Sequence, residues 1–216
     1  GIAATGVVED GVIRESTVLG WRDLDLRGML ERRFGFPVTI SNDVVCSMLA
    51  ERFFGHGDKS MLFIKIDRGI GAATLIDDVT VIGQNHAGGE IGHISLDPES
   101  GVLCPCGKRG CLETMVTSPV IRERIRRAST PEEQLDIIRS CGEQLAAALA
   151  MPIGLLDIND ICVYGPPDIV NAAFLEATQR RVDMVSSSKF HKHTSVDIAL
   201  RGSAIDVVHH YIENGH

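Results

Sequence analysis

An α/β domain with a largely parallel or mixed sheet is predicted by three observations. Strand-like and helix-like segments alternate along the chain. Of its 216 residues 44% are hydrophobic, enough for a core in one large domain or two lobes. The segments MLFIKI and DICVYG are short apolar runs that read as buried strands.

The elements follow in order. LRGMLERRFG sets Leu26, Met29, Leu30 and Phe34 at helical spacing, with Asp25 as N-cap and Gly35 as stop. PVTI, residues 37–40, reads as a short buried strand. Val45, Met48, Leu49 and Phe53 repeat the helical spacing, predicting a helix that follows Asp43 and ends near Gly55. After the strand 61–66, AATLIDDVTVIG predicts a hairpin turning at Asp77 and Asp78. Ser118 and Pro119 open one helix. Thr130, Pro131 and Glu133 form a capping box, with proline at the first helical position, for a long helix towards Leu149. A strand at 160–165, a helix from about Asp168, and a last strand and helix across SVDIAL and SAIDVVHHYI complete the pattern. PEEQ and SSSKFHKH read as polar loops.

Composition excludes several functions. The net charge of −8 argues against gripping a phosphate backbone, which needs clustered lysine and arginine. No apolar run of about 18 residues is present for a membrane span, and the opening GIAATGVVEDG lacks the order of a secretory signal. A cytoplasmic location without membrane contact is expected.

The densest chemistry lies in GGEIGHISLDPESGVLCPCGKRGCLE, residues 88–113. His93, Cys104, Cys106 and Cys111 offer one imidazole and three thiolates, a set suited to tetrahedral zinc in a closed structural site, and Gly107 and Gly110 allow a tight turn around it. Four protein ligands leave no position for a reactive water, so the metal organises the loop. The alternative is that the cysteines are buried apolar side chains. Glu90 and Glu113 would be carried into fixed positions beside the metal, as acceptors for sugar hydroxyls or as solvated surface charges. Asn42 and Asp43 stand at a strand-to-helix junction, where polar residues commonly serve as caps.

GGEIGH followed by CPCGKRGCLE resembles the signature of the ROK family of sugar kinases, transcriptional repressors and related open reading frames. GIAATGVV, ESTVLGW, ISND, DRGIGAA and LLDINDICVYG fall in the family's order. The resemblance implies an actin-like, ribonuclease H-like ATPase fold of two lobes with a zinc-bound loop and the first strands of the N-terminal lobe missing. Residues 1–57, completed by about 201–216, would form one lobe and 58–200 the other. It implies a sugar site of Gly6, Thr17, Asn42, Asp43, Glu90, His93 and Glu113. Asp43 would be the general base in a kinase, and His93 would serve metal and sugar through its two ring nitrogens.

Departures from the kinase pattern bear on function. The DxGxT phosphate loop is absent from this chain, DRG stands at residues 67–69 where kinases carry GTG, and Pro166 and Pro167 follow Gly165 where they carry a diglycine. Proline adds bulk and removes backbone donors. The expectation is the sugar-sensing and oligomerising domain of a ROK transcriptional regulator, with structural zinc and neither ATP nor Mg2+. Its effector would be a monosaccharide or sugar phosphate, its assembly a homodimer or homotetramer, and its DNA contact through a further N-terminal domain. Alternatives are a sugar kinase represented by a truncated chain, which leaves enzymatic activity open, and a zinc-stapled interaction module.

Overall fold

The computed structural model describes residues 1–16, 18–195 and 197–213. The chain divides into two compact units, Gly1–Lys59 with Ala73–Gly88 and His193–His216, and Ser60–Ala72 with Gly89–Lys192.

In the first unit, β1 (Ile2–Ala4) is followed by the antiparallel strands β2 (Val7–Glu9), β3 (Val12–Ser16) and β4 (Trp21–Asp25). Asp10 and Gly11 turn β2 into β3 with φ of 49° and 78°, an Asp-Gly hairpin signal. α1 (Leu26–Phe34) begins where Asp25 accepts from the Gly28 amide at 2.8 Å and stops at left-handed Gly35. Its predicted apolar face divides: Leu26 and Leu30 pack onto Ala4, Ile13 and Ile40, while Met29 and Phe34 are exposed.

The strand expected over 37–40 lies instead at β5 (Ile40–Asn42), paired in parallel with β1 so that Ile2 opposes Ile40 and Ala4 opposes Asn42. α2 (Asp43–Phe54) follows directly. Its Met48 and Leu49 are buried as expected. Within this helix Glu51 is wholly buried.

β6 (Met61–Ile66) leads into β7 (Ile70–Ile76), and β8 (Val79–Val81) pairs antiparallel with the end of β7. Asp77 and Asp78, at φ 48° and 64°, make the predicted turn. The second unit then holds α3 (Glu113–Val116), α4 (Ser118–Arg127) and α5 (Pro131–Leu156). Thr130 caps α5 by accepting from the Glu133 amide at 3.1 Å, and Glu133 reaches back to the Ser129 amide. The helix runs seven residues past the expected end, through Pro152, until left-handed Asp157 stops it. Buried Leu145, Leu149 and Ile153 keep that face in the core, so packing carries the helix across the proline.

β9 (Asp160–Tyr164) lies between β6 and the strand 189–192, parallel to both. α6 (Ala172–Val182) starts later than expected. Asp168 is not a helical start, because its carboxylate is held in a turn by Arg122 at 2.9 and 3.1 Å, and Asn171 supplies the cap. The final strand is also corrected. β10 (Lys189–Lys192) occupies the segment that read as a polar loop, whereas Ile198 to Leu200 of SVDIAL already belong to α7 (Ile198–Glu213). Val196 of that segment lies outside the described residues. The Ser188 amide and hydroxyl fix the approach to β10, and its hydroxyl donates to Ile158 at 2.7 Å. In the first unit α7 packs on α2, where Gly202 meets the Cys46 carbonyl so closely that no side chain fits.

Candidate metal centre and ligand site

Residues 94–112 contain little regular secondary structure, and backbone pairing gives the loop its shape. Leu96 donates to Gly110 at 2.8 Å and Leu112 to Ile94 at 2.9 Å, so the two ends of the loop run beside each other. Gly110 donates to Val102, Cys104 to Lys108 and Gly107 to Cys104, all within 2.9 Å. The tip is therefore a tight turn over 104–108, and Gly107 and Gly110 take the positive φ of 88° and 64° that such turning needs.

That turn brings together the four predicted ligands, with one donor atom from each of His93, Cys104, Cys106 and Cys111 all within 4.8 Å of one another. His93 Nδ1 is 3.6 Å from Cys104 Sγ, and Cys106 Sγ is 3.6 Å from Cys111 Sγ. Tetrahedral zinc, with sulfur about 2.3 Å and nitrogen about 2.0 Å away, separates its donors by about 3.5 to 3.8 Å. The donor chemistry fits as well. Burial, together with the neighbouring Cys106 and Cys104 thiols, pushes the Cys111 thiol up to about 12. A bound cation would offset that cost and hold the three sulfurs as thiolates. The cluster is consistent with the ROK zinc site, and His93, Cys104, Cys106 and Cys111 would hold the ion.

With Nδ1 beside the Cys104 sulfur, where it would hold the ion, His93 Nε2 lies 3.9 Å from Glu90 Oε2. That is too long for a direct hydrogen bond. Glu90 is exposed at its tip, yet desolvation by the surrounding protein raises its carboxyl pKa. His93 opposes this, and the Glu113 charge adds to it. Glu113, the first residue of α3, is half-buried. A Cβ placed on Gly92 would come within 3.3 Å of its Oε2, and one on Gly69 within 3.5 Å. Glu90, His93 and Glu113 thus form one polar cluster, and both glycines leave room for a carboxylate. Sequence reasoning did not assign that role to Gly69 or Gly92, although each lies inside a motif it had singled out.

In the other unit, Asn42 is the N-cap of α2. Its Oδ1 accepts from the Val44 and Val45 amides at 2.8 and 3.2 Å, while Nδ2 donates to the Gly6 carbonyl at 2.8 Å. Gly6 and Asn42 are therefore neighbours, with Asp43 at the first helical position. Ser47 donates to the Asp43 carbonyl at 2.6 Å. Thr17 lies outside the described residues.

The turn of Asp67, Arg68 and Gly69 joins β6 to β7. Its first amide donates to Gly69 at 2.9 Å, its first carbonyl accepts from Ser118 at 2.8 Å, and Arg68 is exposed. After β9, the Pro166 carbonyl accepts from both Ile169 and Val170. A Cβ on Gly165 would meet Val170 at 2.5 Å. This turn is closed upon itself and buttressed by Arg122 on Asp168. A groove of about 540 Å³ between α4 and α5, lined by Arg124, Arg127, Glu133, Asp136 and Ile137, contains none of these residues.

Among known proteins, a glucokinase of Halalkalibacterium halodurans is 39% identical over 122 residues, covering 55% of this chain and 37% of its own length. A protein of Caldicellulosiruptor sp. (strain Rt8B.4), named as a candidate xylose repressor, is 31% identical over 231 residues, covering 92% of this chain and 58% of its own length. The chain thus spans between about a third and three fifths of these two relatives. The crystal structure of a ROK family glucokinase from Streptomyces griseus, in complex with glucose and AMPPNP, superposes with a TM-score of 0.82 at 23% identity, covering 95% of this chain and 80% of the other. The actin-like α/β fold is therefore shared. Relatives of both kinds, kinase and repressor, match. The ROK family pattern itself spans residues 1–195, and this chain belongs to the ROK family.

Proposed function

We propose that this chain is the sugar-binding and oligomerising part of a ROK transcriptional regulator, in which a structural zinc ion held by His93, Cys104, Cys106 and Cys111 fixes the ligand site. The observation that carries this reading is the turn 67–69. Where a kinase needs amide and hydroxyl donors for phosphate, the Asp67 amide is spent on Gly69 and the threonine is replaced by Arg68. Phosphoryl transfer rests on positioning and charge stabilisation, so losing donors at the phosphate cradle is disabling. The Pro166-Pro167 turn supports the same reading, since neither proline offers an N–H.

The ligand class is a monosaccharide or its phosphate. Glu90 and Glu113 would supply acceptors and His93 Nε2 a directional group oriented by the metal on Nδ1; the family resemblance adds Gly6, Thr17, Asn42 and Asp43 of the N-terminal lobe as proposed sugar contacts. That lobe is taken as 1–57 with 201–216, against 58–200. DNA contact would come from a further domain, and assembly would be a homodimer or homotetramer.

The kinase reading retains one specific support, the glucokinase relative at 39% identity. Asp43 would then be the general base. Thermal-shift titration with glucose, xylose, N-acetylated hexosamines and the 6-phosphates of the hexoses, beside an ATP-dependent phosphorylation assay, tests both. Stabilisation by a sugar without turnover supports the regulator. Turnover that disappears in Asp43→Asn overturns it.

A further inference from the structure

The four metal ligands are not equivalent. Cys104 is 2% exposed and Cys111 is fully buried, whereas Cys106 is exposed. Cys106 stands at the tip of the 104–108 turn, next to exposed Pro105 and Gly107, and a Cβ on Gly107 would meet nothing within 4 Å. Approach to the Cys106 sulfur from solvent is open. The Cys111 sulfur is 3.6 Å away. A cysteine pair in which one member is accessible and the other is buried beside it has the arrangement of an attacked thiol with its resolving partner.

We infer that Cys106 and Cys111 form an oxidation site for hydroperoxides, through which the metal centre is opened and the loop released. The inference rests on the zinc reading for its consequence, though not for the pairing of the two cysteines. In the first step the Cys106 thiolate attacks one oxygen of the hydroperoxide. An S–O bond forms, the O–O bond breaks, the sulfur loses two electrons, and the other oxygen leaves as alkoxide or hydroxide and takes up a proton. In the second step Cys111 Sγ attacks Cys106 Sγ while the departing hydroxide takes the Cys111 proton. The S–S bond forms, the S–O bond breaks, and hydroxide leaves and is protonated to water. One thiolate, one thiol, one hydroperoxide and one proton thus become one disulfide, one alcohol (or water) and one water.

The consequence follows from ligand count. Once Cys106 and Cys111 are joined, only His93 and Cys104 remain as donors, too few for a closed tetrahedral site. Cys111 lies within the backbone pairing of the loop, because Ser95 bridges to Cys111 and Leu112 donates to Ile94. Glu113 is two residues further on. Oxidation at the tip therefore reaches the carboxylate of the ligand cluster through four bonded residues. Cys104 is the less suitable partner for Cys106, because only Pro105 separates them and a disulfide across so short a span is strained.

The test uses hydrogen peroxide on the protein as purified. Metal content is measured first, then zinc release with a chromophoric chelator, alongside disulfide mapping of non-reduced peptides by mass spectrometry. The expected result is loss of one zinc per chain in step with a Cys106–Cys111 disulfide, with Cys46, Cys141 and Cys162 unmodified, and recovery on adding a thiol reductant and zinc. Cys106→His preserves a fourth ligand and should hold zinc yet release it more than about tenfold more slowly under peroxide. Cys106→Asp, which keeps a metal-binding oxygen but no thiol, serves if the histidine variant does not fold. A disulfide between Cys104 and Cys106, first oxidation at Cys111, or unchanged release from Cys106→His would each overturn the proposal. Protein purified without zinc would remove the metal reading. Mapping of the metal-free chain would still decide the cysteine pairing, because absence of the Cys106–Cys111 disulfide there overturns it as well.

Discussion

Two polar centres of this molecule solve the same problem in opposite ways. The cysteine loop gathers three thiols and an imidazole within 4.8 Å on a segment with little regular structure. Its donors are arranged as a cation would hold them. Glu51 is a lone carboxylate buried in α2, and the chain itself satisfies it. Its oxygens accept from the His56, Thr194 and Ser195 amides, the Thr194 hydroxyl and His193 Nδ1, at 2.8 to 3.2 Å. Burial alone would raise this carboxyl, but the bond from His193 and the three amides outweigh it and hold it well below the usual carboxylate range. The lesson is one of supply. A buried charge is tolerated where backbone donors converge on it, and a cluster of like donors is tolerated where a metal does.

The largest effect should come from removing the metal. Structural zinc contributes roughly 10 to 16 kcal/mol in small zinc domains. Chelation, or Cys106→Ser, is therefore expected to cost about 5 kcal/mol or more here, read as a fall in thermal midpoint together with lost hydrogen-exchange protection over 94–112. Native protein without zinc on elemental analysis would break the comparison, leaving the cysteines as ordinary apolar side chains.

Glu51→Ala should come next, at roughly 3 to 5 kcal/mol in urea unfolding, because it strands several buried donors. The pH dependence has a definite sign. Since the folded carboxyl is depressed, its contribution is present above the unfolded value of about 4.3 and is lost as pH falls below it. Wild type should therefore lose more stability than Glu51→Gln between about pH 5 and pH 2. Parallel pH profiles for the two proteins would show that the charge is not what holds His193 to Ser195.

A smaller effect, on binding rather than stability, is expected at the ligand cluster. Removing a carboxylate that accepts from a neutral hydroxyl costs about 1 to 3 kcal/mol, so Glu113→Ala and Glu90→Ala should each weaken the preferred sugar by roughly ten- to a hundredfold while sparing the fold. Calorimetric titration showing unchanged affinity in both would leave the loop as scaffold alone. The smallest effect should be Asn42→Ser, which keeps an acceptor for the first α2 amides but loses the bond to Gly6. About 1 kcal/mol of stability or less is expected, and a larger loss of sugar affinity than of stability would give Asn42 a role beyond capping.

The sequence by itself determined what depends on neighbours along the chain. The caps of α1 and α5 were legible because capping is a matter of three or four residues. The turn at Asp77 and Asp78 was legible because aspartate tolerates positive φ between alternating apolar residues. The metal ligand set was legible because its three cysteines lie within eight residues. Tertiary structure decided what depends on distant partners. It placed β10 in a segment whose lysines and histidines read as loop, because pairing with β9 outweighs polarity on an edge strand. It drew α5 through Pro152 because the apolar face of the last turns is covered. It set Glu113 against Gly69 and Gly92, and Glu51 beneath residues more than 140 positions away. Local propensity contains no term for such contacts. The physical reason is that burial and hydrogen-bond satisfaction are properties of the folded surroundings, which a residue's sequence neighbours only partly supply.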